Sequence, residues 1–285
     1  MSSPVLESSF PRLHCGRFVL DLSRALVMGV VNVTPDSFSD GGNFLHPAAA
    51  TAHAWRLTEE GADLIDVGGE STRPGARPVS ANEELERVLP VLRAMRDAPI
   101  PVAIDTMKPE VMRVAIAEGA SMINDVNALR AHGAADLVAN SGLAVCLMHM
   151  RGEPRTMQAS PRYGDVVAEV KAFLKARAEA ALSSGVGKDR IVLDPGFGFG
   201  KTVGHNMTLL RELHAVVELG FPVLAGLSRK SSLGAITGRP ATGRLAASVA
   251  AALLAVERGA KIVRVHDVAA TRDALAVLEA LESSH

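Results

Sequence analysis

Ile191-Val-Leu-Asp-Pro-Gly-Phe-Gly-Phe-Gly-Lys201 runs three apolar residues into a carboxylate, a proline and three alternating glycines. Pro195 has no N–H for a sheet ladder, so a strand that enters at Ile191 ends at Asp194. The glycines at 196, 198 and 200 let the backbone turn sharply and come close to a ligand. A carboxylate at the mouth of a buried strand costs free energy unless something donates to it. Asp194 therefore either caps a neighbouring loop or helix, or meets a ligand with adjacent N–H donors, such as an aminopyrimidinone.

The same pattern repeats along the chain. Apolar, strand-like runs occupy 26–33, 63–67, 102–104, 122–123, 144–148, 191–193, 223–227 and 262–265. Stretches with helical spacing lie between and after them, at 48–60, 81–96, 110–118, 134–140, 165–184, 206–219, 244–258 and 269–281. The strands are continuously apolar, as parallel strands covered on both faces are. Strict alternation of this kind predicts an α/β protein with a single-domain (β/α)8 TIM barrel. A doubly wound sheet is the rival, but G-x-G-x-x-G is missing after the first strand. Residues 1–16 read as a flexible lead-in and 17–285 as the barrel. The short run 17–22 reads as one arm of an N-terminal β-hairpin that closes the barrel bottom.

Composition sets the class. The 285 residues are 48% hydrophobic but only 4% aromatic, which suits a large aliphatic core. A net charge of −1 argues against a nucleic-acid or membrane surface while permitting a local cationic pocket. The longest apolar run, 245–256, is too short to span a bilayer. Residues 1–12 lack the apolar segment of a signal peptide, and the two cysteines, Cys15 and Cys146, show no metal-ligand spacing. A reducing cytoplasm is the expected compartment.

In such barrels the chemistry sits at the C-terminal ends of the strands. Those ends carry Asn32, then Asp66 with Glu70 to Arg73, then Asp105, Asn124-Asp125, His149, Asp194, Ser228-Arg229-Lys230, and Arg264 with His266. Each has an ordinary explanation: Asp105 as a cap for the third helix, His266 as a satisfied core histidine, Arg264 as a bridge to a surface carboxylate. One shared site explains all of them together. Asp105, Asn124 and Asp194 suit the donor-donor-acceptor edge of a flat heterocycle. Ser228, Arg229, Lys230, Arg264 and His266 come from the loops where barrels hold phosphate. Gly200-Lys201-Thr202 resembles the end of a P-loop, but the first glycine of that motif would fall on Pro195. Two long loops, 32–42 and 68–76, have the turn-rich composition of a lid.

Met28 to Gly42, Asp66 to Gly75, Ile104-Asp-Thr106, Ile123-Asn-Asp125, Leu147 to Gly152, Asp194 to Lys201, Ser228 to Lys230 and Arg264 to Asp267 together resemble the dihydropteroate synthase family, in order, from about residue 26 to 271. The departures, Val30-Val31 and Asn127-Ala128, carry no side-chain chemistry. The resemblance implies condensation of 7,8-dihydropterin-6-ylmethyl diphosphate with 4-aminobenzoate, by dissociative loss of pyrophosphate. It implies that Asp105, Asn124, Met148, Asp194 and Lys230 hold the pterin. Asn32, Arg73, Arg264 and His266 would hold the diphosphate, with Asn32 on Mg2+. Thr72, Arg73, Pro74, Phe199, Ser228 and Lys230 would frame the aminobenzoate, and Asp105, Asp194, Lys230 and Arg264 would carry the catalysis. It also implies a sulfonamide target and a homodimer. Two alternatives stand beside it: a corrinoid-dependent methyltransferase sharing the pterin-binding barrel, which has no diphosphate to bind, and a non-catalytic paralogue, which would have lost site residues.

Overall fold

The computed structural model describes residues 12–34, 47–71 and 75–283. Thr72, Arg73, Pro74, most of the 32–42 loop and residues 1–11 lie outside them. A two-stranded antiparallel hairpin, β1 (Arg12–Cys15) and β2 (Phe18–Asp21), precedes eight parallel strands. These are β3 (Leu26–Asn32), β4 (Leu64–Gly68), β5 (Val102–Asp105), β6 (Met122–Asp125), β7 (Ala144–Met148), β8 (Ile191–Asp194), β9 (Leu224–Ala225) and β10 (Ile262–Val265). Their order is β8-β7-β6-β5-β4-β3-β10-β9. A parallel bridge from Leu193 to Val223 joins the two ends, so the sheet curls into a barrel without a free edge.

Around it run α1 (Pro47–Glu59), α2 (Ala81–Ala94), α3 (Pro109–Ala117), α4 (Ala134–Ala139), α5 (Val166–Ser183), α6 (Val203–Arg211), α7 (His214–Val217), α8 (Ser231–Thr237), α9 (Leu245–Glu257) and α10 (Val268–Glu282). The (β/α)8 reading holds, with two local differences. The stretch 206–219 is broken into α6 and α7. The loop after β9 contains α8, whose Ser-Ser-Leu-Gly start reads as loop in sequence.

The lead-in reading of 1–16 needs correction at its end. Arg12–Cys15 alternates exposed and buried residues and pairs residue for residue with Phe18–Asp21. Leu13, Cys15 and Leu22 are fully buried against Leu26, Met28, Leu64, Ala103, Met122 and Ile262, so the hairpin plugs one end of the barrel. A second apolar layer, including Val27, Ile65, Ile104, Val145 and Leu193, packs the outer face of the strands on the helices.

This plug explains where the polar residues go. Side chains two apart on a strand share a face. Leu64, Ala103, Met122, Val192 and Ile262 face the barrel interior next to the hairpin. Two residues further on stand Asp66, Asp105, Asn124, Asp194 and Arg264. The period of the strands thus puts one polar ring directly above an apolar floor. Above that ring Met148, Met150, Met157 and Val126 form a separate apolar cluster, with Met107 and Phe199 packed on it.

Candidate active site

Arg264 is the hub of the polar ring. Its Nε donates to Asp66 Oδ2 at 2.6 Å and its Nη2 to Asp105 Oδ2 at 3.1 Å, across the barrel interior from β10 to β4 and β5. Asn124 Nδ2 donates to the same Asp66 oxygen at 2.9 Å. Asp66 is fully buried, and its Oδ1 has no partner. Burial works against the Arg264 charge, but Asp66 and Asp105 beside it raise its pKa. Burial pushes Asp105 up to about 8; Asp66 adds to the shift and Arg264 opposes it. The ordinary readings of these two residues fail. Arg264 bridges to buried carboxylates rather than surface ones, and α3 has Lys108 at its N-cap, without a side-chain cap bond from Asp105.

Asp194 closes the other side of the ring. Its Oδ1 accepts from Gly196 N–H at 2.7 Å, so the capping role expected of it is partly real. Among the described residues its second oxygen has no donor. Burial raises its pKa, and Lys230, the Gly196 amide, Lys201 and Arg264 oppose that. Lys230 donates to the Phe197 carbonyl, and its Nζ lies 4.7 Å from the Phe199 ring centroid. Burial brings Lys230 down to about 8, with Asp194 resisting and Arg264 adding. Burial thus works against the charge of both the Lys230 ammonium and the Asp194 carboxylate, and a heterocycle with ring donors and acceptors can meet both groups.

The loop after β9 is held by a second set of contacts. Ser228 Oγ lies 3.0 Å from His266 Nδ1 and accepts from the His266 backbone N–H at 3.2 Å. Arg229 adopts φ +58° and chelates Asp267 through Nε at 3.0 Å and Nη2 at 2.5 Å. Arg244 clasps the carbonyls of Arg229 at 2.8 Å and Lys230 at 3.3 Å. Ser228, Lys230 and His266 therefore reach one mouth from two adjacent strands, as expected. Asn32 ends β3, half-buried at the same level. Met148 ends β7, in the methionine-lined layer above the ring.

The roles of Asp66, Lys201, Lys108 and Asp125 are not read from the sequence. Asp66 is noted there only as a strand end, yet it anchors Arg264. Lys201 is wholly buried beneath the glycine turn, with Nζ 2.9 Å from His149 Nδ1. Burial brings Lys201 down to about 7, Asp194 resisting, and burial with Lys201 holds His149 down to about 3. Beside the base of the second loop, Lys108 pairs with Glu70 at 2.7 Å and with Glu84, while Arg87 donates to the Gly69 carbonyl at 2.7 Å. Asp125, expected near the site, instead accepts from the Asn127 and Leu129 amides at 2.7 Å and shapes a turn in which Ala128 and Leu129 have positive φ. The Lys201 signal was available, since a lysine ending a glycine-rich turn is a donor in search of carbonyls.

Residues 28–266 match the family described as pterin binding enzyme. Dihydropteroate synthase of Haemophilus influenzae is 49% identical over 270 residues, covering 94% of this chain and 98% of that protein. The chain belongs to the dihydropteroate synthase family. The same enzyme from Neisseria meningitidis serogroup C is 52% identical over 273 residues, covering 94% and 96%. Among solved structures, Xanthomonas albilineans dihydropteroate synthase with 4-aminobenzoic acid superposes with a TM-score of 0.92 at 55% identity, covering 97% of this chain and all of that one. Burkholderia cenocepacia dihydropteroate synthase complexed with 7,8-dihydropteroate gives 0.88 at 51% identity, covering 96% and 97%.

Proposed function

We propose that this dihydropteroate synthase family member condenses 7,8-dihydropterin-6-ylmethyl diphosphate with 4-aminobenzoate, releasing pyrophosphate, at the polar ring on the C-terminal ends of the strands. The observation that carries the residue assignment is the convergence of Asp66, Asp105, Asn124, Asp194 and Arg264 from five strand ends, and of Lys230 from the loop after β9, onto one largely buried layer. Asp105, Asn124 and Asp194 offer acceptors and one amide to the pterin edge, Lys230 lies alongside, and Met148 packs on the ring face. Ser228, Phe199 and Lys230, with Thr72, Arg73 and Pro74, frame the aminobenzoate. His266, Arg264, Asn32 and Arg73 take the diphosphate end. Arg264 has a double duty here: Nε and Nη2 hold the carboxylates, and the remaining edge of the guanidinium is what is left for an anion.

Magnesium fits this site only as a passenger on the diphosphate. No group of three His, Cys, Asp or Glu side chains that could hold a metal exists among the described residues. Asn32 can supply one amide oxygen, and Mg2+ commonly keeps waters and substrate phosphates as its other ligands. When bound it would neutralise part of the diphosphate charge.

The chain's own work is electrostatic. The methylene C–O bond breaks with its electron pair leaving on pyrophosphate, and the electron-rich pterin ring delocalises the positive charge left behind. In their ionised forms Asp105 and Asp194 favour that cation, while Arg264 and His266 take the departing anion. The aminobenzoate nitrogen then forms the C–N bond and loses a proton. No Ser-His-Asp or Cys-His arrangement is required, and Cys146 is a buried core thiol.

A homodimer, a cytoplasmic location and sulfonamide sensitivity belong to the same proposal. Leu245 and Leu254 on α9 and Val277 and Leu281 on α10 are exposed apolar side chains on neighbouring helices, which supports a twin subunit there. Both cysteines are free, and no helix among the described residues is long and apolar enough to cross a membrane. A sulfonamide would compete for the aminobenzoate frame. The test is direct: with the pterin diphosphate, Mg2+ and labelled aminobenzoate, the purified chain should form labelled dihydropteroate. Failure to form it, with methyl transfer from a methylated folate instead, would move the chain to the corrinoid-dependent reading.

A further inference from the structure

The turn that follows β8 has an unusual ledger of carbonyls. Gly196, Gly198 and Gly200 all have positive φ, at +68°, +80° and +64°, so successive carbonyls point to alternate sides. Each one meets a side-chain donor. Gly196 O and Phe199 O accept from Lys201 Nζ at 2.9 and 3.1 Å. Phe197 O accepts from Lys230, Gly198 O from Gln158, and Gly200 O from the Tyr163 hydroxyl at 2.9 Å. The His149 carbonyl and ring nitrogen complete the shell around Lys201 Nζ at 3.4 and 2.9 Å. Two ammonium groups thus grip one five-residue turn, Lys201 from below and Lys230 at the site.

Carbonyls that converge on one point repel one another unless a cation sits among them, and of those around Lys201 Nζ only Gly196 O has a second donor among the described residues of the turn, the Phe199 N–H at 3.1 Å. There is little room for the turn to find another arrangement. A Cβ at Gly196 would lie 1.9 Å from the His149 carbonyl oxygen, and one at Gly200 would lie 2.4 Å from that of Arg151. The stem of Lys230 also packs on Gly198, whose added Cβ would lie 3.2 Å from Lys230 Cδ. The turn is therefore the surface against which Lys230 and Phe199 are set.

We propose that Lys201 is a positioning residue: its ammonium is the tethered cation around which the glycine turn folds, and it fixes the Phe197 carbonyl and the Phe199 ring so that Lys230 meets the pterin. The inference rests on the reading of Lys230 as a pterin-binding group. Lys201 itself touches no substrate.

The test uses Lys201→Ala, which empties the cradle, and Lys201→Met, which keeps its volume without the charge, assayed well below their melting temperatures. Loss of two or more buried hydrogen bonds behind the pterin site should raise KM for the pterin diphosphate by about tenfold or more, with a smaller change in kcat. Ammonium chloride should partly restore KM in Lys201→Ala by refilling the carbonyl cradle, and tetramethylammonium chloride at the same ionic strength should not. A scaffold role alone would lower the melting temperature and leave KM of the folded enzyme unchanged. That outcome, or a raised KM that ammonium does not lower, overturns the proposal. If Lys201→Ala does not fold, Lys201→Met and Tyr163→Phe carry the KM comparison, and unchanged KM in both overturns it equally. Lys230→Ala is run alongside: should it leave pterin KM unchanged, the assignment of Lys230 fails rather than the role of Lys201.

Discussion

Replacing Arg264 with methionine keeps much of the side-chain volume and removes the charge that Asp66 and Asp105 share. Arg264 is 20% exposed in its side chain, Asp105 16% and Asp66 fully buried, so solvent cannot substitute for the guanidinium. Removing one partner of a buried ion pair costs about 3–5 kcal/mol. With unfolding entropy near 2.1 cal/mol/K per residue, a chain of 285 residues loses roughly 5–8 °C in Tm for that amount. The loss should depend on pH in a definite direction. The Asp105 pKa in the fold is raised to about 8 from 3.8, so the folded state holds this proton more tightly than the unfolded chain. Ionising Asp105 therefore removes stability as pH climbs from about 4 to about 8, with little further change above. Arg264 limits that rise, so without it the penalty continues to higher pH. The Tm deficit of Arg264→Met should therefore be flat at lower pH and grow as pH rises through about 8. In an Asp105→Asn background the growth should vanish, leaving only the Asp66 contribution. Scanning calorimetry of the four proteins measures this. A deficit that is constant with pH, or smaller than about 1 kcal/mol, would refute the reasoning that Arg264 is the buried counter-charge of this ring.

Asp194→Asn should weaken binding of a pterin analogue by about 2–4 kcal/mol, because the new NH2 meets a ligand donor; near-normal affinity by titration calorimetry removes Asp194 from the pocket. Gly196→Ala forces a Cβ towards the His149 carbonyl at positive φ, so it should cost upwards of about 2 kcal/mol in stability and abolish pterin binding. Normal binding by that variant would mean the turn tolerates movement. Lys108→Met strands Glu84, which is 1% exposed and already has an unpartnered Oε1, and should lower Tm; adding Glu84→Gln should recover part of the loss. A double variant no better than the single would show that Lys108 does not act through Glu84.

The fold was legible because parallel strands covered on both faces are continuously apolar, and eight such runs alternate with helices. The candidate site residues were legible for a related reason. A barrel needs no polar group at a strand mouth, so Asp105, Asn124, Asp194 and Arg264 stand out against Leu, Val and Ile. Pairings were not legible. Arg264 reads as one of the cations facing an anion, yet its partners lie 198 and 159 residues away in sequence, joined only by closure of the barrel. Strand β9 is shorter than the run 223–227 suggests, since the chain leaves the ladder at Gly226, which packs beside Arg264 and Lys230. Helix α8 was hidden because Gly234 lowers helical propensity, but Gly234 is where the Arg244 guanidinium lies, too close for any Cβ. Lys201 was set aside with the failed P-loop match, although its real partners are the carbonyls of its own turn.

The central claim is that this site works by letting pyrophosphate leave before the new C–N bond forms, with Asp105 and Asp194 favouring the cation and Arg264 and His266 the anion. The α-secondary deuterium isotope effect, measured in a single turnover with the exocyclic methylene dideuterated, addresses it most directly. The account predicts a clearly normal effect, the deuterated substrate reacting more slowly as the methylene carbon flattens towards sp2. An effect at unity or inverse, with dihydropteroate still formed, would mean that aminobenzoate displaces pyrophosphate in one step and that the ring does not act by stabilising a cation.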